Sequence, residues 1–219
     1  MRFSTLSIAT ISAALTHAQT PAESWPVTSR NVGCAFGNIT VTPGKWISPS
    51  DVTTQPTIYR STPLPNPNPN PNTNKTYMLL MLDLSIPSSD VTTLSQYSTL
   101  VPGLASNTTT RLHWWQGNYT ITPPSSPASP PASPSSQTTL FLNTTDSIAT
   151  YTAPRPRDAT NHTYAFYLFT QPENYFPGEE AANGTYYDET TDARFNFSLK
   201  GVVEKVGEPV AANWFESSA

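Results

Sequence analysis

The fold is indicated most clearly by one stretch of the sequence, Tyr77-Met-Leu-Leu-Met-Leu-Asp83-Leu-Ser85-Ile-Pro87. Its first six residues are apolar without interruption, and a carboxylate follows them directly. A short apolar run bounded by turn residues indicates a buried β-strand. Asp83 therefore ends a buried strand, where it either caps the turn into Ser85 or contributes to a site at the end of the strand.

Strand patterns recur on both sides of this stretch. Residues 164–170, Tyr-Ala-Phe-Tyr-Leu-Phe-Thr, have the aromatic content of a second buried strand. More mixed strand patterns cover residues 37–42, 111–121 and 138–143. Only residues 195–206 have apolar side chains at helical spacing, and Gly207 is placed to end that helix. The sequence therefore predicts a mainly β chain with one or two helices near its end.

Composition sets bounds on the size of the domain and on its partners. The chain has 219 residues, 23 of them proline, and 12% of its residues are charged. Disordered chains are also rich in proline, but they are poor in aromatic residues, which make up 11% of this chain. We therefore expect one folded domain. The formal net charge of −4 argues against nucleic acid and anionic membranes as partners, because both are bound by clustered Lys and Arg.

Two low-complexity segments hold eleven of the 23 prolines. They span residues 63–74 and 122–136, and each lies between two strand patterns. Proline has no amide hydrogen to donate to a strand ladder, so neither segment is predicted to be a central strand. Both are predicted to be loop insertions within a single domain that spans residues 19–219.

Residues 1–18 have the pattern of a secretory signal peptide, with an early Arg2, an apolar stretch and small residues at the end. The stretch is too short and too polar to remain as a membrane span. We therefore expect a protein that is secreted or stays in the lumen of the secretory pathway. Eight glycosylation sequons are consistent with that route. The sequons begin at Asn38, Asn74, Asn107, Asn118, Asn143, Asn161, Asn183 and Asn196.

The single cysteine, Cys34, excludes an intramolecular disulfide. Its two interpretations are a small buried hydrophobe and a reactive nucleophile. The first is favoured, and the stability of the domain is then expected to come from its core.

Candidate site residues lie where strand patterns begin or end, because strands hold side chains rigidly at one edge. Asp83 ends one pattern, His113 lies within another, and His162 and Tyr164 open a third. A histidine in an apolar strand is by itself more often a core residue than a ligand-binding one. The group is a site candidate only if the fold brings its members together.

The same residues lie in segments that resemble those of the phosphatidylethanolamine-binding protein family. The stretch that opens this section looks like the family's Asp-Pro-Asp-x-Pro strand, and further segments match in order over about residues 36–215. These are Leu-His-Trp at 112–114, Tyr-x-x-Pro-x-Pro at 151–156, His-x-Tyr at 162–164, Arg-Phe-Asn-Phe-Ser at 194–198 and Glu-Pro-Val-Ala-Ala-Asn-Trp-Phe at 208–215. The resemblance implies an antiparallel β-sandwich with one or two peripheral helices and a small anion-binding pocket.

The resemblance also implies which residues form this pocket. The ligand-binding set would be Asp83, His113, His162 and Tyr164, with Pro87 and Pro154 shaping the rim. Imidazole and phenol groups donate hydrogen bonds to an anion, while an aspartate orients one imidazole.

Two departures from the family pattern change the expected ligand. Ser85 stands in place of the second Asp, and Thr163 stands in place of the Arg that follows the pocket histidine. Loss of a guanidinium weakens phosphate binding, so a more neutral pocket for a weaker anion or a carboxylated organic molecule is expected. The second departure also creates the sequon at Asn161, which we expect to be unoccupied or only partly used.

Several functions are compatible with the expected pocket and with the family resemblance. The leading one is a binding protein for a small anionic or amphiphilic ligand, without catalysis of its own and without a cofactor or metal. The resemblance leaves open an inhibitor of a serine carboxypeptidase, and an accessory protein that helps a separate cyclase to dimerise maleic-anhydride units in fungal secondary metabolism. An Asp-His-His metal site is a further alternative. The chain has no Gly-x-Ser-x-Gly, His-Glu-x-x-His or phosphate-binding glycine-loop motif.

Overall fold

The structure is a computed structural model. It describes residues 18–60, 75–87, 107–121, 139–143, 145–175, 177, 183–188 and 192–219. The predicted signal peptide, except Ala18, lies outside these residues, as do both predicted proline-rich insertions and the sequon Asn74.

Nine strands, one α-helix and two short 3-10 helices, Pro49–Val52 and Asp192–Arg194, make up the regular structure of the described residues. The strands are β1 (Val32–Phe36), β2 (Ile39–Thr40), β3 (Lys45–Trp46), β4 (Thr57–Arg60), β5 (Tyr77–Pro87), β6 (Thr108–Ile121), β7 (Thr139–Leu142), β8 (His162–Thr170) and β9 (Ala211–Ser217). The helix is α1 (Leu199–Val206). The strands form one sheet in the order β2-β1-β4-β7-β6-β5-β8-β9-β3, in which only the β3–β9 pair is parallel.

Strand β5 is buried on both faces, which explains its uninterrupted apolar sequence. It pairs with β6 on one side and with β8 on the other. Because side chains alternate along a strand, Leu79 and Met81 point into one apolar cluster while Leu80 and Leu82 point into another. All four are fully buried.

The first cluster, called the inner core, lies between two layers of the curled sheet. Phe36 of β1 packs there against Phe166 of β8 and Phe215 of β9. Buried Asn213 of β9 donates hydrogen bonds to the carbonyl groups of Val32 and Val41, which ties the two layers together. The mainly β fold expected from the sequence is confirmed.

The second cluster, called the helix-side core, is covered by α1. Leu199, Val202 and Val203 of the helix are buried against the even-numbered face of β5. Burying such apolar surface contributes roughly 25 cal/mol per Å².

Among the described residues, no helix combines the length and the apolarity needed to cross a bilayer.

The boundaries of the helix correct one prediction. The helix begins at Leu199 and not at Phe195, because the Ser198 side chain accepts a hydrogen bond from the Gly201 amide and caps the first turn. Phe195 instead forms an isolated β-bridge with Arg111. Gly207 ends the helix at a φ of 87°, as predicted.

The predicted strands are confirmed with shifted ends. The strand predicted at residues 37–42 is only Ile39–Thr40, and the strand predicted from residue 111 begins at Thr108. The sequence analysis missed β1, β3, β4 and β9. Cys34 of β1 is fully buried, and its burial raises the pKa of its thiol well above the usual range, which confirms the interpretation as a core residue.

Candidate functional site

Strand pairing brings three of the predicted site residues together. Asp83 of β5 is the direct antiparallel neighbour of Tyr164 on β8 and of Arg111 on β6. His162 is the first residue of β8, two positions from Tyr164 and on the same face of the strand. Asp83 and His162 are 2% and 5% exposed, so the pair lies below the surface.

A β-bulge positions the fourth predicted residue. Between the pairs Met81–Trp114 and Leu82–Leu112, β6 has one residue more than β5, and that residue is His113. A bulge redirects side chains locally and is frequent beside functional sites. The sequence gives no signal of this bulge.

The carboxylate of Asp83 is held by several donors. Its Oδ2 accepts a hydrogen bond of 2.7 Å from Nδ1 of His162, and its Oδ1 accepts one of 3.0 Å from the amide of Ser85. Tyr164 lies directly opposite Asp83 on the neighbouring strand. The same carboxylate therefore caps the turn into Ser85 and holds His162, and its part in binding a ligand stays a prediction.

Ser85 and Thr163, the two departures from the family pattern, contact each other. The Ser85 hydroxyl accepts a 2.6 Å hydrogen bond from the backbone amide of Thr163, and it lies 3.4 Å from Oδ1 of Asp83. Ser85 thereby joins the end of β5 to the start of β8. The two small residues form a neutral link beside the Asp83 carboxylate.

His162 is clamped between two carboxylates. Besides the bond to Asp83, its Nε2 donates a 3.0 Å hydrogen bond to Oδ2 of Asp158. Burial lowers the pKa of His162, but the hydrogen bonds and charges of Asp83 and then Asp158 outweigh it and raise the pKa to about 9. The ring is therefore an imidazolium that donates from both nitrogen atoms at neutral pH.

Asp158 is a site residue that the sequence analysis missed. It lies in the loop before β8, four residues ahead of His162, and its side chain is 26% exposed. The hydroxyl and amide of Thr160 donate to it, and together with His162 they lower its pKa to about 2 despite partial desolvation. The signal that could have revealed it is a carboxylate shortly before the pocket histidine, in the Pro-Arg-Pro-Arg-Asp loop.

His113 is bound in a different way. Its Nδ1 donates a 2.8 Å hydrogen bond to the backbone carbonyl of Thr152, which fixes the tautomer because a carbonyl only accepts. Burial lowers its pKa to about 4; the charges of Arg111 and Arg194 act in the same direction, while the Asp83 carboxylate opposes them. His113 is therefore neutral at pH 7.

Arg194 supports the His113 side of the site. It is fully buried, and its guanidinium donates to the hydroxyl of Thr152 and to the hydroxyl and carbonyl of Thr150. It also donates to the carbonyl groups of Tyr186 and Tyr187. Arg194 thus fixes the Thr152 segment that holds His113, a role that its position in the sequence did not indicate.

Tyr164 contacts both imidazole rings. Its ring centroid is 5.2 Å from that of His113 in an edge-to-face arrangement, and 6.3 Å from that of His162 in a stacked arrangement. Burial, followed by the nearby charge of Asp83, raises the pKa of its phenol well above the usual range. The phenol is therefore a permanent hydrogen-bond donor.

The two prolines of the predicted rim have different positions. Pro154 is buried two residues after Thr152, whose carbonyl holds His113. Pro87 ends β5, where it pairs with Thr108 of β6. The hydrogen bonds that assemble the imidazoles involve neither proline, and their role at the rim stays a prediction.

The described sequons differ in accessibility. Asn161 is exposed, and its amide donates to the Glu216 carboxylate at 3.0 Å. Asn196 is half-buried, and its side-chain oxygen accepts from the Thr109 hydroxyl at 2.6 Å. Asn143 is also half-buried, whereas the exposed ones, besides Asn161, are Asn38, Asn107, Asn118 and Asn183. Which of them carry glycans stays a prediction.

The Asp-His-His metal alternative finds no matching arrangement in the part of the chain that the structure describes. No group of three or more His, Cys, Asp or Glu side chains is placed there to hold a metal ion. The site chemistry of the described residues is that of hydrogen-bond donors and two carboxylates.

Comparisons with known proteins agree with the fold. A model of the phosphatidylethanolamine-binding protein family matches residues 38–213, which is well over half of the chain. The structure of a carboxypeptidase Y inhibitor in complex with its cognate proteinase is similar at a TM-score of 0.54 and 14% identity, covering 88% of this chain and 85% of that one. A phosphatidylethanolamine-binding protein from Plasmodium falciparum gives a TM-score of 0.47 and 15% identity, covering 90% and 92%. No curated protein matches.

Proposed function

The chain belongs to the phosphatidylethanolamine-binding protein family, and on that premise we propose that it binds a small carboxylated ligand through Nε2 of His162. The observation that carries the proposal is the clamp on this ring. Asp83 holds Nδ1 from inside the fold, and Nε2 points to the partly exposed carboxylate of Asp158. A ligand carboxylate would take the place of Asp158 on the same donor.

The charge of the site supports a weak anion as ligand. The imidazolium of His162 supplies one positive charge, while Asp83 stays directly behind it. Thr163 stands where a guanidinium would add a second positive charge and a two-pronged donor for phosphate. A monoanionic carboxylate needs only one charged donor, and Asp158 already demonstrates that geometry within the chain.

Calorimetric titration of the full chain with maleate, acetate and O-phosphoethanolamine tests this proposal. We expect maleate to bind, and His162→Gln to weaken binding at least roughly tenfold, because a charged hydrogen bond is lost. Asp158→Asn should strengthen binding roughly threefold or more, because the internal carboxylate no longer competes as well. Asp146→Asn is the matched control, since it removes an exposed carboxylate outside the site.

Two results would contradict the proposal. One is an unchanged maleate affinity in His162→Gln. The other is weaker binding in Asp158→Asn, which would make Asp158 part of the ligand site and not a competitor. Preference for O-phosphoethanolamine over maleate would reject the carboxylate assignment but keep the site.

A second proposal is inhibition of a serine carboxypeptidase, suggested by the structural neighbour that is bound to its proteinase. That likeness, at 14% identity, supports the fold and leaves the activity to experiment. Titrating a serine carboxypeptidase with the purified chain tests it directly. His162→Gln should leave inhibition intact if a surface segment carries it, whereas joint loss would place both activities at one site.

Secretion and an accessory role in biosynthesis are further proposals. The sequence pattern of residues 1–18 and the sequons support a secretory route, and expression in a eukaryotic host followed by N-terminal sequencing and glycopeptide mapping tests it. The accessory role needs a dicarboxylate or anhydride ligand. Failure of maleate to bind while acetate binds would argue against that role alone.

A further inference from the structure

The sequon Asn161-His162-Thr163 lies at the start of β8, beside the clamp on the imidazole. Its position in the sequence suggests that a glycan on Asn161 would crowd the ring of His162. The structure separates the two side chains. His162 is buried against Asp83, whereas Asn161 is exposed and its amide donates a 3.0 Å hydrogen bond to Oε2 of Glu216 on β9. The direction of the Asn161 side chain therefore depends on where Glu216 points.

The alternation of side chains places Glu216 on the helix-side face of the sheet. Trp214 of β9 packs against the helix-side core, and Glu216, two positions further on, shares its face. On β8, Tyr164 belongs to the inner core, and His162, two positions before it, shares that opposite face. The amide of Asn161 is therefore directed away from the face that carries the imidazole.

An exposed aromatic ring lies on the same face as Glu216. Trp46 of β3 is the direct neighbour of Glu216 in the parallel β3–β9 pair, and it is 52% exposed. Its indole Nε1 donates a 3.2 Å hydrogen bond to the hydroxyl of Ser218, which holds the ring beside the end of β9. Strands β8 and β3 flank β9, so they lie about 10 Å apart, which is two strand spacings. The first sugars of an N-glycan are long enough to span this distance.

The chemistry of N-glycosylation is compatible with the contact between Asn161 and Glu216. Nδ2 of the asparagine bonds to the anomeric carbon of an oligosaccharide that is carried on a lipid diphosphate. The bond between that carbon and the diphosphate oxygen breaks, one amide proton is released, and the lipid diphosphate leaves. A side-chain amide has two hydrogens, so the remaining one can still be donated to the Glu216 carboxylate.

We infer that Asn161 carries an N-glycan whose first sugars extend over Glu216 to the indole of Trp46. There the apolar face of a pyranose packs against the aromatic ring. The glycan leaves the clamp on His162 uncovered, because it is attached on the other face of the sheet. This reverses the expectation from the sequence that the sequon is unoccupied or only partly used. The inference rests on the proposed secretory route and is independent of the ligand at His162.

Two measurements on the full chain, secreted from a eukaryotic host, test the inference. Glycopeptide mapping should find a glycan on Asn161. Acrylamide quenching of tryptophan fluorescence reports on the contact, because Trp46 is the most exposed of the five tryptophans. Asn161→Gln should raise the quenching constant roughly 1.5-fold, since the indole loses its cover. In a Trp46→Phe chain, the same Asn161→Gln substitution should leave the quenching constant unchanged.

Asn183→Gln is the matched control. It removes another exposed sequon, in the region that precedes α1, and leaves β8, β9 and β3 untouched. We expect it to leave the quenching constant unchanged. Asn161 and Asn183 are both exposed, so neither substitution should disturb folding.

The outcomes separate the glycan from the secretory route. An unmodified Asn161 beside glycans on other sequons would overturn the inference and leave the secretory route standing. A chain that still begins at Met1 and carries no glycan on any sequon would reject the secretory route, and the inference with it. Equal quenching of the wild type and Asn161→Gln, or an equal rise in Asn161→Gln and Asn183→Gln, would also overturn the inference.

Discussion

The two imidazoles of the first site differ in charge although both are buried and both contact Tyr164. His162 lies between two carboxylates, which raise its pKa to about 9 in spite of its burial. His113 instead meets a backbone carbonyl, and burial lowers its pKa to about 4. At neutral pH one ring is a cation that donates twice, and the other is neutral.

The difference shows that burial alone does not determine the state of a histidine. Desolvation lowers the pKa of both rings. Only His162 has anionic partners within hydrogen-bonding distance at both nitrogen atoms. The position of the neighbouring carboxylates therefore decides which ring can attract an anion. Substitutions around His113 and around His162 can each test this comparison.

The largest expected effect comes from removing the cation behind His113. Arg194→Met leaves several buried carbonyl and hydroxyl groups without their donor, so we expect the free energy of unfolding to fall by roughly 4 kcal/mol. Urea denaturation monitored by tryptophan fluorescence measures it. Arg155→Met, at an exposed position near the site, is the control and should change stability by less than about 0.5 kcal/mol.

Acid should destabilise the fold through His113. The unfolded chain binds a proton at this ring near pH 6.5, whereas the folded chain does so only near pH 4. The contribution of His113 to the free energy of unfolding, about 3 kcal/mol, is therefore lost as the pH falls from 6.5 to 4. The difference between wild type and His113→Gln in the pH dependence of unfolding measures it. Equal pH profiles in the two proteins would refute the neutral, buried state.

Alkali should act through His162 with the opposite sign. Its folded pKa of about 9 lies above the unfolded value of 6.5, so its contribution is complete below pH 6.5 and is lost as the pH rises to 9. We expect the free energy of unfolding to fall by about 2 kcal/mol. This is less than the pKa difference alone would give, because solvent screens the partly exposed Asp158. NMR titration of the ring in wild type and Asp158→Asn checks the cause, since the variant should titrate at lower pH.

The smallest expected effect concerns the neutral link at the start of β8. Ser85→Ala removes the acceptor of the Thr163 amide, which should lower the free energy of unfolding by about 1 kcal/mol. Thr120→Ala, which removes an exposed hydrogen bond to the Leu142 carbonyl, serves for comparison and should cost less. Thermal unfolding of the two variants side by side distinguishes them. Equal losses of stability would show that the hydrogen bond between Ser85 and the Thr163 amide contributes no more than an exposed one.

The sequence predicted most of the site because strand ends are visible in it. The apolar run before Asp83 and the aromatic run after His162 identify two strands, and antiparallel pairing then brings Asp83, His162 and Tyr164 together. The same patterns identified β6, but not the bulge at His113. A bulge is one extra residue against a partner strand, so it does not exist until the two strands are paired.

Other parts of the site leave no pattern along the chain. Asp158 lies in an irregular loop, and its contact with His162 depends on how that loop folds back. Arg194 reaches Thr150 and Thr152 across more than forty positions of sequence.

By itself the sequence determined the mainly β fold and the residues of the central strands, because the order of apolar and polar residues along a strand is a local property. Its motifs also resembled those of the family that the family model then showed over residues 38–213. Only the tertiary structure decided which histidine is charged, which carboxylate occupies Nε2 of His162, and to which face of the sheet Asn161 is directed. A pKa depends on distances between groups that are remote in sequence, and those distances exist only once the chain has folded.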